Sequence, residues 1–195
     1  MSTTSVLLVG VGGQGTILAG DVLAKVAAAS GLDVKLSEVH GMSQRGGSVD
    51  TMVRFGDRVY SPVVSRGEVD HLAAFEIIEA ARWLQYLRPG GRLLVDRRTI
   101  APLGVLTGAL PLPVGVEAAL FGEDAVFIDA EPLACRAGSP RSANVVLLGA
   151  LSAGLPFAVE TWRDVIAGRV PPKTADENLA AFDLGRKACL EGGGV

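Results

Sequence analysis

Apolar residues run without a break from Val6 to Val9, and the run ends at Gly10. A short, unbroken apolar run closed by glycine predicts a strand over Ser5–Val9 that is buried on both faces. From Gln14 to Ser30 the period changes. Leu18, Val22, Val26 and Ala29 recur at three- and four-residue intervals and predict a helix with one apolar stripe, stopped by Gly31. Asp33 to Val39 predicts a second strand. The unit is strand, glycine turn, helix, strand, and a right-handed crossover is expected.

Next comes the polar stretch His40 to Ser48, too rich in Gly and Arg to belong to a core. Ser48 to Phe55 alternates as a strand does. Gly56-Asp57 carries a turn signal, with Arg58 to Ser61 expected to return as a hairpin. His71–Phe75 predicts a buried strand, Glu76–Leu87 a helix ended by Pro89-Gly90-Gly91, and Arg92–Asp96 a further strand. Arg97 to Pro113 is irregular. A short helix is expected over Gly115–Phe121 and a final strand over Ala125–Asp129. Glu131–Gly138 fits no single period. Asn144–Ala153 reads as a buried helix, with closing helices over Val159–Ala167 and Thr174–Glu191. Alternating strands and helices predict an α/β fold: a Rossmann-like, doubly wound, mostly parallel sheet flanked by helices, with a helical C-terminal segment. Residues 1–195 are expected to form a single domain.

Composition narrows the function classes. Hydrophobic residues make up 49% of the 195 and charged residues 20%, enough to bury a core. The net charge of −3 comes without a basic stripe, so no nucleic-acid partner is expected. No apolar run approaches the ~20 residues of a membrane span. The two cysteines, Cys135 and Cys189, are too few for an iron–sulfur cluster or a structural zinc site. A cytoplasmic location is expected.

Candidate chemistry begins in the turn. Gly10-x-Gly12-x-x-Gly15 satisfies the dinucleotide fingerprint between a strand and a helix, and Glu38 follows at the distance of a ribose contact. A free-standing NAD(P)-dependent oxidoreductase is therefore one reading. Close helix–strand packing with no ligand is another. Against the nicotinamide reading stand the unusual loop after the second strand and Gln14, whose long amide sits at the mouth of the turn.

The second motif, Glu38 to Val49 (EVHGMSQRGGSV), is more specific. With the turn GVGGQG (Gly10–Gly15) it resembles the gamma-type domain of the 2-oxoacid:ferredoxin oxidoreductase family, in its indolepyruvate branch. The resemblance continues through Val53–Pro62, Glu79–Gly91, Ser142–Leu151 and Asn178–Gly185 and covers nearly the whole chain. It departs from the family pattern at Asp50-Thr51-Met52 and at Asp96. The resemblance implies a beta subunit that acts with a larger alpha subunit to decarboxylate an aryl 2-oxo acid, such as indolepyruvate, oxidatively to an acyl-coenzyme A, with electrons passing to ferredoxin. It implies that thiamine diphosphate, magnesium and 4Fe–4S clusters reside on the alpha subunit, and that this chain holds no cofactor alone but meets coenzyme A as co-substrate. A non-catalytic assembly module of the same complex is the remaining alternative.

Within that resemblance, Gly10, Gly12, Gly13, Gln14 and Gly15 are candidates to hold a phosphate or a pantetheine amide. Ser43 and Gln44 are candidates to orient polar atoms, and Gly46 and Gly47 to admit a close backbone. Asn144 is a candidate ligand contact or a helix cap. His40 and Arg45 are the candidate catalytic residues, the first for proton transfer and the second as a planar fork for carboxylate or phosphate. No metal-ligand cluster stands out. Arg97-Arg98 reads as a solvated charge pair, and Glu76 as either a ligand contact or a helix-start charge.

Overall fold

The computed structural model describes residues 3–41, 46–120 and 125–192. Its centre is a six-stranded sheet: β1 (Thr4–Val11), β2 (Asp33–His40), β3 (Ser48–Gly56), β4 (Val69–Ala74), β5 (Leu87–Asp96) and β6 (Val126–Ile128), in the order β2-β3-β1-β4-β5-β6. The pairs β1–β4, β4–β5 and β5–β6 are parallel, whereas β3 runs antiparallel to both β1 and β2. Five strands thus share one direction, and the mostly parallel, doubly wound expectation holds.

The β1 residues alternate between two apolar layers. Val6 and Leu8 face one core, together with helix α1 (Thr16–Ala29) and, from the C-terminal part, α5 (Ala130–Arg136), α6 (Ala143–Ser152), α7 (Val159–Arg169) and α8 (Ala175–Leu190). Leu7 and Val9 face a smaller core with α2 (Ile77–Trp83) and α4 (Val116–Leu120); α3 (Leu103–Leu106) is a single turn. The period-2 alternation of a strand forces this division, and burying both faces explains the unbroken apolar run. In the larger core Trp162 and Phe182 are fully buried, their rings 6.0 Å apart. Helix α1 ends as expected. Gly31 takes φ 82°, and the N–H groups of Gly31 and Leu32 return to the carbonyls of Ala28 and Ala27.

Three expectations need correction, and one segment left open by the sequence is assigned. β2 does not lie beside β1. Val49 pairs opposite His40, and β3 lies between β2 and β1. Arg58–Ser61 is not a hairpin strand. Side chains tie that segment down instead, with Asp33 accepting from the Val59 N–H and Arg54 donating to the carbonyls of Ser61 and Val63. The helix after β4 is shorter than Glu76–Leu87. Glu76 is its cap, and the chain passes through a 3₁₀ turn at Leu84–Tyr86 into β5, which already includes Pro89-Gly90-Gly91. The β4–β5 register slips between Val69 and His71 and absorbs that insertion. Finally, the segment without a clear period is helix α5, with Glu131 in its first turn and Arg136 in its last, as the helix dipole favours.

Candidate functional site

The glycine turn opens at the carboxyl end of β1, where open α/β sheets place ligands. Its glycines divide by role. Gly10 is still in the strand, opposite Val49, and a Cβ there would come within 2.8 Å of Gln14 Oε1 and 3.0 Å of the Phe75 Cβ. The tight turn falls on Gly13 (φ 103°) and Gly15 (φ 80°), a left-handed conformation that L side chains rarely adopt. A Cβ on Gly13 would meet nothing within 4 Å, so its neighbourhood is open. The spacing matches a dinucleotide fingerprint, but the first glycine does not make the turn.

Gln14 is committed internally. Its Oε1 accepts from the Val11 N–H at 2.7 Å, and its Nε2 donates to the Phe75 carbonyl at 2.5 Å. The amide stitches the end of β1 to the end of β4 and fixes the shape of the turn. The Gly12 N–H donates to the Gly47 carbonyl at 2.8 Å, which joins the two motifs directly. The Gln14 N–H returns to the Val11 carbonyl. The N–H groups of Gly13 and Gly15 have no hydrogen-bond partner among the described residues. Gly15 is the N-cap of α1 and brings no side chain to cap it. The first turn of α1 therefore presents unsatisfied donors and the positive end of the helix dipole.

These groups face a cavity of about 420 Å³ lined by Gly12, Gly13, Gly15, Thr16, Ile17, His40 and Val49. His40 is exposed at its edge, with Nδ1 3.3 Å from the Gly41 carbonyl. The cavity offers backbone donors on one wall, an imidazole on another and an apolar floor, a combination suited to a phosphate-bearing ligand with an apolar arm. Ser43, Gln44 and Arg45 lie outside the described residues. Gly46 (φ 77°) and Gly47 flank them. Ser48, which follows, donates from Oγ to Glu79 Oε2 at 2.5 Å. Glu79 also accepts from Arg82 Nε and Trp83 Nε1, so one buried carboxylate anchors the return arm of the polar loop to α2.

Sequence reasoning named Asp50 and Asp96 only as departures from the family pattern and did not single out Glu79, so it gave none of the three a place at the site. Burial pushes the Asp50 carboxyl up, and the nearby Glu79 charge adds to the shift. Burial pushes Asp96 up to about 6, against the backbone N–H groups of Ala130 and Arg98 that donate to its Oδ1. The available signal was a carboxylate closing an apolar strand run at the ligand end of a parallel sheet. Glu76 is fully buried and structural. It accepts from the Glu79 N–H at 2.8 Å and the Ile100 N–H at 3.0 Å. Arg97 and Arg98 are not a solvated pair. Arg97 reaches Glu117 and Asp129 and lies over the Phe127 ring, while Arg98 pairs with Glu131.

Asn144, in the first turn of α6, is buried beside Gly15. With Gly13, Asp96, Arg98 and Arg141 it lines a second cavity of about 150 Å³ on the other flank of the turn. The inserted β3 carries Glu38 away from β1. Glu38 pairs opposite Thr51, is exposed on the edge strand and so does not flank the turn as a ribose contact would require. No group of three or more metal-ligating side chains occurs among the described residues, and no helix there is long and apolar enough to cross a membrane.

Residues 5–188 match the pyruvate ferredoxin/flavodoxin oxidoreductase family. The chain is 42% identical to the indolepyruvate oxidoreductase subunit IorB of Thermococcus kodakarensis, with 98% of each chain covered. It is equally similar, over the same shares, to the subunit of that name from Pyrococcus horikoshii. The fold superposes with a TM-score of 0.71 on the gamma subunit of a keto/oxoacid ferredoxin oxidoreductase from Geobacter sulfurreducens, at 27% identity over 96% of this chain and 99% of that one. A 2-oxoglutarate:ferredoxin oxidoreductase from Magnetococcus marinus, solved with 2-oxoglutarate, coenzyme A and succinyl-CoA bound, shares the fold at 24% identity. The TM-score is 0.74, over 98% of this chain and 32% of that longer one.

Proposed function

Because the chain belongs to the pyruvate ferredoxin/flavodoxin oxidoreductase family, we propose that it is the small subunit of an indolepyruvate:ferredoxin oxidoreductase. In that reading a larger alpha subunit carries thiamine diphosphate, magnesium and the iron–sulfur clusters. Thiamine diphosphate supplies the electron sink for decarboxylation. The 2-oxo acid loses carbon dioxide, the thiol of coenzyme A captures the remaining acyl carbon, and the electron pair leaves to ferredoxin. The complex works in the cytoplasm.

The part of this chain is to hold coenzyme A. The carrying observation is the 420 Å³ cavity, whose wall is a helix start without a side-chain cap and with N–H donors at Gly13 and Gly15 that have no partner among the described residues. Those donors take a phosphate of coenzyme A, helped by the dipole of α1. Gln14 and the Gly12–Gly47 bond keep the donors in place before the ligand arrives, which lowers the ordering cost of binding. His40 hydrogen-bonds a phosphate or carboxylate from the facing wall, and Arg45 brings its guanidinium to the same ligand. Ile17 and Val49 shield the pantetheine arm from water. Gly46 and Gly47 let the polar loop approach closely, and Ser43 and Gln44 orient polar atoms of the substrate.

Reconstitution with the large subunit tests this reading. Under anaerobic conditions the complex should reduce ferredoxin with indolepyruvate and coenzyme A, and the large subunit alone should lose the coenzyme A dependence. Full coenzyme A-dependent turnover without this chain would refute the reading. Stoichiometric nicotinamide binding by the chain alone would return the glycine turn to its dinucleotide meaning.

A further inference from the structure

The connection from β5 to α4 is the part of the chain that least suits water. From Thr99 to Val116 it carries no charge, and its only polar side chains are Thr99 and Thr107. No residue from Arg97 to Ala119 is buried. Leu103 and Leu106 are each 72% exposed, Val114 is 92% exposed, and Leu110 and Leu112 are exposed between them. Of the eleven exposed large apolar side chains among the described residues, five thus fall between Leu103 and Val114. A solvated connection is normally short and built from polar turn residues, and an apolar patch of this density marks a contact surface. We infer, resting on the coenzyme A reading above, that this segment is a docking strap on which the large subunit seats at the carboxyl end of the sheet.

The strap is formed before any partner arrives. The N–H groups of Val105 and Leu106 donate to the Pro102 carbonyl, and the Leu110 N–H donates to the Gly104 carbonyl. Leu110 lies over α3, where a Cβ on Gly104 would come within 3.1 Å of its Cδ1. Pro111 and Pro113 fix their own φ and restrict Leu110 and Leu112 before them to extended backbone. A surface ordered in advance loses little conformational freedom when it is covered.

The position of the strap selects its occupant. Ile100, Ala101 and Pro102, at its root, line a cavity of about 160 Å³ together with Gly46 and Ser48. Between those two lies Gly47, whose carbonyl accepts the Gly12 N–H. The strap therefore grows from the edge of the proposed coenzyme A site. A thiol held there has to meet thiamine diphosphate on the large subunit, so that subunit must cover this end of the sheet. The charges at the two roots of the strap are already paired, Arg97 with Glu117 and Asp129, and Arg98 with Glu131. An apolar centre with an internally neutralised rim is the composition of a lasting interface. A second copy of this chain fits less well. The prolines lack the N–H groups that an added strand would need, and two copies meeting at this end would bar the large subunit from the thiol.

Anaerobic titration calorimetry of the full chain into the large subunit tests the strap. The double variant Leu106→Asp/Val114→Asp should weaken association roughly a hundredfold or more, as the loss of central apolar anchors does. Both positions are exposed, so the unfolding midpoint of the free chain should not move. Val63→Asp is the control. Val63 is an exposed apolar residue at the other end of the sheet, where Arg54, opposite Ser5, holds its carbonyl, and its replacement should leave association unchanged. At saturating concentrations of the double variant, turnover and the KM for coenzyme A should return to wild-type values, because the strap holds the partner and touches no reacting atom. Association as tight as that of the wild type would overturn the strap and leave the coenzyme A reading standing. A wild-type chain that ignores the large subunit would overturn both. A dimer of the free chain that the double variant dissolves, with association to the large subunit unaltered, would give the surface to a second copy and overturn the occupant inferred here.

Discussion

Two glycine-bearing regions of this chain use the same residue for opposite ends. Where α6 crosses α8, Gly149 and Gly185 are closed in. A Cβ on Gly149 would overlap the Phe182 carbonyl oxygen, and one on Gly185 would overlap the Val146 carbonyl oxygen. At the carboxyl end of β1, Gly13 is open, with nothing near the position a Cβ would take. The first pair lets backbones touch so that the apolar faces of two helices close over Trp162 and Phe182. The second keeps space free beside unsatisfied donors. Glycine density alone does not mark a ligand site. The surroundings decide, and here the open glycine sits with uncapped helices and a desolvated carboxylate, features that cost stability and are retained where function needs them.

The sharpest break of this contrast is Gly185→Ala. Overlap with a helix carbonyl leaves no soft neighbour to yield, so a loss of about 3 kcal/mol or more is expected in denaturant unfolding. A loss below about 1 kcal/mol would mean that the helix pair is not tightly packed. Asp96→Asn should act in the other direction. Asn keeps an Oδ1 acceptor for Ala130 and Arg98 and removes the buried charge. The folded-state value of about 6 lies above the ordinary 3.8, so folding disfavours the ionised form. That penalty is absent below about pH 4, grows between about 4 and 6, and is complete above 6. The wild type should lose stability from this group as pH rises through that window. The variant should gain about 1–3 kcal/mol above pH 6 and show a flatter profile between 4 and 6. An unchanged slope would place the Asp96 charge in water.

Gly13→Ala should cost only about 1 kcal/mol of stability, the strain of a left-handed alanine with no steric clash. A cost like that of Gly185→Ala would erase the distinction between the two regions. Smallest is Thr51→Val. The Thr51 Oγ1 is buried without a hydrogen-bond partner among the described residues, under Gly20 of α1. Removing the hydroxyl should stabilise the chain by up to about 1 kcal/mol in the same unfolding assay, and a loss would reveal an unrecognised partner.

Much of the frame was legible because it is local. The apolar run Val6–Val9, the stripe Leu18–Val22–Val26 and the stop at Gly31 each signal an element through spacing alone. Strand order was not legible, since no spacing in β2 or β3 dictates that Val49 pairs opposite His40. The supposed hairpin strand at Arg58–Ser61 misled for a related reason. β3 ends at Gly56 and the chain only bends at Asp57, and the backbone that follows is held by the side chains of Asp33 and Arg54. Of the candidate site, Gly12, Gly13, Gly15 and His40 gather at one cavity, while Gly10 stays within β1 and Gly46 lines a different cavity. The inward commitment of Gln14 was invisible, because a glutamine at a turn reads alike whether it holds a ligand or its own backbone. Asp96 was visible only as a departure from the family pattern, and Glu79 not at all, because the burial that shifts or anchors a lone carboxylate comes from its tertiary neighbours.

The central claim is that the open glycine turn holds coenzyme A for a reaction completed on the large subunit. The most direct measurement is steady-state kinetics of the reconstituted complex carrying Gly13→Ala. The expected result is a KM for coenzyme A raised at least tenfold with the KM for the 2-oxo acid unchanged, since the new methyl group enters only the space reserved for the phosphate. An unchanged KM for coenzyme A in a folded, assembled complex would contradict the account and move the cofactor off this turn.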